Sequence, residues 1–407
     1  MLTALLFATF LQASAAPAPQ PPTAELHPIG KAQVKFTESL LREVAKQPGN
    51  CIFSPFSIHT ALSMVHEGAR GDTAREMETA LAISEGSQKS EFEGFLKRLS
   101  PPKKRIRNKE TNDPAFKLFT ANALWVQDGF PMEEGFVSAL REGFGAAPER
   151  VDFKNAQAAR ARINEWVSRS TESKIQQILP PDLPSPDSRF VLANAVYLHA
   201  LWAYPFNPDD THPMAFFAGG KREVNARTMV STRHLAYRET AGSRIVSIPY
   251  ESKALSMVIV LPKERQGLDA VLQGETPADW TTGFETKNTR LFLPAFKTTT
   301  FYDLRPALER LGVRTAWNAS QADFTGMSKA DPLVLSFVLH KATIVVDEKG
   351  TEAAAATAAG VKVGAAARPE QPIVFQVDHP FLYLIRHEPT GAILFAGRVD
   401  DPTASAE

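Results

Sequence analysis

The chain has 407 residues, 43% hydrophobic and 22% charged, ordinary proportions for a globular protein that buries a sizeable core. Its 45 basic and 45 acidic side chains cancel, so no overall field draws it to nucleic acid or to a membrane surface, and any electrostatic partner must be met by a local patch. The single cysteine, Cys51, excludes an internal disulfide, a cysteine zinc cage and a paired redox motif. Followed by Ile52 and Phe53, it reads as a buried thiol acting as a small hydrophobe, with a covalent partner as the alternative.

In chain order, residues 1–15 (MLTALLFATFLQASA) are an uncharged apolar run ending in the small-x-small site Ala13-Ser14-Ala15, which reads as a secretory signal peptide and predicts an extracellular protein. The run is too short for a transmembrane helix, and no later segment reaches the roughly 18–20 apolar residues that spanning requires. Residues 16–28 form a proline-rich leader. Helical spacing follows over Ile29 to Val44, then after Ser54-Pro55 with Ile58, Leu62 and Val65 inward and Gly68 just past the end. Further helices are predicted at Thr73 to Leu81, Ser90 to Leu99, Pro131 to Phe144 and Asn155 to Ser170. Strands are predicted at Phe190 to Leu198, Arg244 to Pro249, Leu255 to Leu261, Leu291 to Lys297, Ala342 to Val346, Ile373 to Val377, Phe381 to Ile385 and Ala392 to Val399. Helices early and strands late, with no dividing linker or repeat, predict one large mixed α+β domain over 29–402 and a short tail at 403–407.

No Gly-x-Gly-x-x-Gly, phosphate loop, His-Glu-x-x-His or Gly-x-Ser-x-Gly elbow occurs. His59 and His66, seven apart, read as ordinary surface or packing histidines rather than metal ligands. Catalysis has no positive sign, and no cofactor is implied. The unusual stretch is Val345 to Pro372 (VVDEKGTEAAAATAAGVKVGAAARPEQP), about 26 residues between two strands. Thr351 to Ala359 has the composition of a helix, yet it has no apolar stripe to dock one. Connections that long are functional loops or linkers.

Several blocks resemble the signatures of the serpin family. They are Asn50-Cys51-Ile52-Phe53-Ser54-Pro55-Phe56-Ser57-Ile58, Gly68-Ala69-Arg70-Gly71-Asp72-Thr73, Ala193-Asn194-Ala195-Val196-Tyr197 with Trp202, and Leu291-Phe292-Leu293-Pro294. His340-Lys341-Ala342, the hinge Glu348-Lys349-Gly350-Thr351-Glu352-Ala353-Ala354-Ala355-Ala356-Thr357, and Asp378-His379-Pro380-Phe381 with Gly397-Arg398-Val399 follow in the family's order. The resemblance implies three β-sheets with eight to nine helices, an exposed reactive loop over about 348–372, and a metastable native state. It also implies suicide inhibition, in which a serine or cysteine protease cleaves the loop, stays acyl-linked, and is trapped as the cut loop enters the main sheet. It further places Ser54, Ser57, Asn194 and His340 in a polar cluster, the shutter, where strands part, and Trp202 in the breach where insertion begins. Thr228-Met229-Val230 and Ala200 depart from the usual family residues, which bears on local strand geometry rather than on the loop.

The loop's composition suits that role. A strand inserted between two others must present small, uncharged side chains inward, and alternation gives Thr351, Ala353, Ala355, Thr357, Ala359 and Val361 on one face. Gly350 supplies backbone freedom at the turn, and no proline falls between Thr351 and Gly364 to remove a ladder N–H. Inserting about ten residues at about 1 kcal/mol per hydrogen bond releases on the order of 10–20 kcal/mol, comparable with a domain's whole stability.

Residues 348–364 span the 17 positions by which the family separates hinge from cut, placing the scissile bond at Gly364-Ala365. Small flanking side chains suit elastase- or subtilisin-like pockets. Val363 is the nearby alternate, and Lys362 and Arg368 are the trypsin-like alternates, the latter followed by Pro369. A non-inhibitory carrier or chaperone would be expected to show charged, bulky or proline hinge residues, which Thr351 to Thr357 lack. Lys103, Lys104, Arg105, Arg107 and Lys109 form a basic run where some serpins bind heparin; glycosaminoglycan binding competes with a solvated loop after Pro101-Pro102. Asn318-Ala319-Ser320 is a glycosylation sequon. A monomer is expected.

Overall fold

The structure, a computed structural model, describes residues 27–86, 88–106, 109–186, 188–330, 332–351 and 371–404. The first helix, α1 (Pro28–Val44), starts with proline in its first turn and a His27 side chain accepting from Ile29 N, and buries the stripe Ile29, Gln33, Phe36, Leu40. After β1 (Cys51–Phe53) comes α2 (Pro55–His66), capped by Ser54, which accepts from Ser57 N; all twelve residues of α2 are buried, so this helix runs through the centre. His59 and His66 are therefore interior groups, His59 Nε2 donating to Leu81 O (3.0 Å) and His66 Nε2 to Glu78 Oε1 (3.0 Å).

Four shorter helices and their strands continue: α3 (Gly71–Leu81), α4 (Lys89–Leu99), β2 (Lys103–Ile106), β3 (Lys109–Pro114), β4 (Lys117–Gln127), α5 (Glu134–Phe144), β5 (Glu149–Val151) and α6 (Ala156–Ser170). Two of these correct the sequence reading. The basic run is an antiparallel pair rather than a solvated loop, and β4 puts a long strand in the helical half. Its face toward α6 carries Ala121, Ala123 and Trp125 and its other face Leu118, Leu124 and Val126, so it is apolar on both sides with Asn122 interrupting, and no strict alternation marks it.

The second half holds β6 (Phe190–Leu201), β7 (His212–Ala218), β8 (Arg222–Glu239), β9 (Ser243–Pro249), β10 (Leu255–Pro262), α7 (Leu268–Gly274), α8 (Pro277–Thr281), β11 (Glu285–Pro294), β12 (Phe296–Asp303), α9 (Arg305–Arg310), β13 (Val338–Val346), β14 (Gly350–Thr351), β15 (Ile373–Gln376), β16 (Phe381–His387) and β17 (Ile393–Val399). The strand expected at Leu291 to Lys297 is two, β11 and β12, parted at Ala295, which bonds Arg227 O instead of a ladder partner.

Sheet order explains how the domain closes. Strands run β1-β17-β16-β10-β9-β8-β11-β15, with β7 also on β8, in one nine-stranded sheet. The 18-residue β8 joins the parts of this sheet by pairing with β7 over Arg222 to Thr228, with β11 over Thr228 to Tyr237 and with β9 over Ala236 to Glu239. The second large sheet runs β12-β13-β14-β6-β4-β5, and β2 pairs with β3 alone. Every residue of β10 and β17 is buried, as continuous apolar runs require. In the six-stranded sheet, Leu192, Val196 and Ile344 face the central core, while Ala121, Ala193, Ala195 and Leu339 face α6 and the segment after it through Ile163, Val167 and Ile175. Alanine on that face lets α6 lie close across β4 and β6. Among the described residues no helix is long and apolar enough to cross a membrane.

Candidate functional site: the seam and the loop hinge

Strands β6 and β13 are parallel neighbours from Val338↔Leu192 to Thr343↔Tyr197. Beyond that pair they part, and β14 occupies the gap, antiparallel to both: Thr351 pairs with Val346 of β13 and Ala200 of β6, and Gly350 with Leu201. Hinge residues Gly350 and Thr351 are thus already a stub of a middle strand.

The sequence fixes this stub locally. Asp347 closes a tight turn, its N–H donating to Gly350 O (3.0 Å) while its carboxylate accepts from Lys349 N (2.8 Å) and Gly350 N (3.2 Å). Trp202 N donates to Lys349 O (2.9 Å), Phe206 N to Glu348 O (2.8 Å), and the Trp202 indole to Asp347 O (2.9 Å). Trp202 stacks on Tyr250 with centroids 4.5 Å apart, and the Tyr250 hydroxyl meets the buried Thr351 hydroxyl at 2.6 Å. The Glu348 carboxylate, nearly buried, is paired with Arg227. A Cβ on Gly350 would stand 2.2 Å from Ala200 O, so only glycine fits where the hinge meets β6.

Midway down the seam, Asn122, Asn194 and His340 lie in register on three adjacent strands, because Asn122↔Asn194 and His340↔Asn194 are both ladder partners. From below, Ser54 N donates to His340 Nε2 (3.0 Å), and the Ser54 hydroxyl donates to Leu394 O (2.6 Å). His340 Nδ1 bonds Asn194 Oδ1, Asn194 Nδ2 donates to Ser57 Oγ (2.7 Å) and to Asn122 Oδ1, and Ser57 Oγ donates to Asn122 Oδ1 (2.8 Å). Since an N–H can only donate, Nε2 accepts, Nδ1 carries the proton, and the ring is neutral. Burial pushes the His340 pKa down to about 3. Across the other face, Lys341 Nζ donates to Gln177 O (2.9 Å), tying the segment after α6 to β13, and burial lowers its pKa.

This arrangement is a hydrogen-bonded seam along the β6–β13 junction. Among the described residues no group of histidine, cysteine and carboxylate side chains is placed to hold a metal ion. Burial pushes the Cys51 thiol up to about 11, which makes it a poor nucleophile.

The structure brings Ser54, Ser57, Asn194 and His340 together in one cluster, and Glu348, Gly350, Thr351 and Trp202 in another. Ala353 to Thr357, Lys362, Val363, the Gly364-Ala365 bond and Arg368 lie outside the described residues, as does Arg107. Asn318 is exposed beyond a short turn, its Oδ1 accepting from Ser320 N (3.0 Å) and Ser320 Oγ (2.8 Å). Sequence reasoning missed Asn122, because β4 went unread. It also missed Tyr250, Arg227 and Asp347: the first two are about a hundred residues or more from their hinge partners, whereas Asp347 adjoins them and its Asx-turn pattern before Lys349-Gly350 was a usable signal.

Residues 31–402 match the family described as serpin (serine protease inhibitor). A serpin-like protein of Thermococcus kodakarensis, described as uncharacterized, is 35% identical over 92% of this chain and 86% of its own length. Among solved structures, Serpin48 of the insect Tenebrio molitor superposes with a TM-score of 0.80 at 31% identity, covering 92% of this chain and 98% of that one. Native protease nexin-1 with heparin superposes with a TM-score of 0.79 at 25% identity, covering 92% and 99%.

Proposed function

Because this chain belongs to the serpin family, whose members are mostly protease inhibitors rather than catalysts, we propose that it is a suicide substrate for a serine protease. The protease cuts near Gly364-Ala365, remains acyl-linked, and is trapped when the segment behind Thr351 enters the seam. Small residues about that bond favour an elastase- or subtilisin-like target. One observation carries the reading: Gly350 pairs with β6 and Thr351 with both β6 and β13, so the hinge already sits in the gap where those two strands part. Each further residue that follows exchanges β6–β13 contacts for bonds on two sides.

Two further parts of the reading have separate support. The basic pair β2 and β3, in a chain similar to a serpin solved with heparin, supports glycosaminoglycan binding, which salt-dependent retention on immobilised heparin checks. The signal-like residues 1–15 support export, which the amino terminus of the mature protein checks.

The main test incubates purified protein with elastase, subtilisin, chymotrypsin and trypsin in turn, followed by denaturing gels and the mass of the released carboxy-terminal fragment. A band at the summed mass, with a fragment beginning at Ala365, supports the trap. Proteases that cut the loop and stay active would refute inhibition of those targets.

A further inference from the structure

Beside the loop's return lies a sheet face with nothing packed on it among the described residues. Val374 of β15 is 51% exposed, one of three large hydrophobic side chains exposed among the described residues. It pairs with Arg290 of β11, which pairs with Thr232 of β8, while Phe292 pairs with Gln376. Strand alternation puts these and His234 on one face, and Thr232, His234 and Arg290 are all exposed. Their sequence neighbours Leu235, Leu291 and Phe375 are buried on the other side.

The chemistry of the face is apolar and cationic. The Arg290 guanidinium lies over the Phe292 ring, 5.3 Å from its centroid, and has no carboxylate partner among the described residues. The nearest acid along β11, Glu285, belongs to the opposite alternation and pairs with Lys287 at 2.8 Å. A backbone-pairing occupant is disfavoured: β15 is the last strand of the sheet, and at its open edge Arg244 donates to Val374 O (3.3 Å) and covers the Phe375 ring. Whatever docks must use side chains against the face.

We propose that this face is a secondary docking surface for the target protease, selecting one whose rim beside the active-site cleft carries carboxylates around a small apolar patch; the proposal rests on the inhibitory reading above. Geometry identifies the occupant. Ile373 follows the Gly364-Ala365 bond by eight residues, a span of at most about 30 Å even when fully extended. A protease engaged on that bond is therefore held within reach of β15. Arg290 would raise the encounter rate by steering, and Val374 with Phe292 would hold the encounter complex until acylation.

Association rates and inhibition stoichiometry of the full chain test this, using each protease that the panel above shows to be trapped. Arg290→Glu should slow association on the order of three- to tenfold at low salt and less at high salt. Val374→Ser should slow it at both salts. Stoichiometry and melting temperature should stay unchanged, and Arg75→Glu, an exposed charge reversal on α3, should have no effect. Wild-type rates for both face variants, or equal slowing by Arg75→Glu, overturn the surface while leaving the trap intact. A panel with no trapped protease overturns the trap and the surface together.

Discussion

Ser54 offers His340 a backbone N–H and Asn194 offers it a carbonyl oxygen, so the ring has one role at each nitrogen and no place for a second proton. The folded-state pKa of about 3 lies far below the roughly 6.5 of an exposed histidine. Stability from this neutral ring is fully present above about pH 6.5 and is lost as pH falls toward 3. Between pH 7 and 4 the loss reaches on the order of 3 kcal/mol. His59, pushed down to about 4 by burial, acts in the same direction, so only a comparison isolates the seam. Denaturant unfolding of wild type and His340→Gln at pH 7 and pH 4 should show the variant weaker at pH 7 and the gap narrowing at pH 4. A gap of constant size would mean that His340 is not the titrating group. At the hinge, Gly350→Ala would place a methyl against the Ala200 and Leu201 backbone, which cannot yield. That variant should release Gly350 and Thr351 from the sheet at a cost of about 1–3 kcal/mol. The check is Trp202 emission, compared against a Trp202→Phe background, and unchanged emission would show the stub still in place.

At the scale of elements, the segment after α6 is held across the seam by few bonds. Asn164 of α6 accepts from Ile178 N and Leu179 N, each at 2.9 Å, and Lys341 of β13 donates to Gln177 O. Asn164→Ala leaves two N–H groups unpaired and should destabilise by about 1–3 kcal/mol. It should also speed heat-induced conversion to an inactive, loop-inserted form, followed as activity lost during mild heating; an unchanged rate would show that the strap does not limit insertion. Why some elements were legible follows from their patterns. Helix α1 shows a stripe at helical spacing, and β10, β16 and β17 carry the apolar runs Met257 to Leu261, Phe381 to Ile385 and Ile393 to Ala396. Strand β8 was illegible because the alternation of Leu235 and Tyr237 with His234 and Arg238 is brief, while Thr228 and Met229 are buried in succession and Arg222 to Asn225 contain no buried residue. Ser54, Ser57, Asn194 and His340 stand out only through the family motifs around them, since a lone buried polar residue has no local signature. Asn122 becomes visible only through register with Asn194.

For the whole molecule, the proposed trap requires that the seam be where folding stops short of its best hydrogen bonding. The parallel β6–β13 ladder holds six registered pairs, whereas an inserted strand would pair antiparallel on both sides, the stronger geometry. If about ten residues insert, the gain of roughly 10–20 kcal/mol exceeds the few kcal/mol of pairing given up. Unfolding entropy near 2.1 cal/mol/K per residue turns a net gain of that order, over a domain of this size, into a rise of roughly 10–20 °C in melting temperature. Calorimetry before and after loop cleavage should show it. Thr351 supplies the control, because its side chain is buried against Tyr250 at the mouth of the gap. Thr351→Arg would have to bury an unpaired cation there, so the strand should stay out although the loop is cut at the same bond. Cleaved wild type should therefore melt higher than intact protein and cleaved Thr351→Arg should not. Equal rises in both would mean that the added stability arises away from the seam.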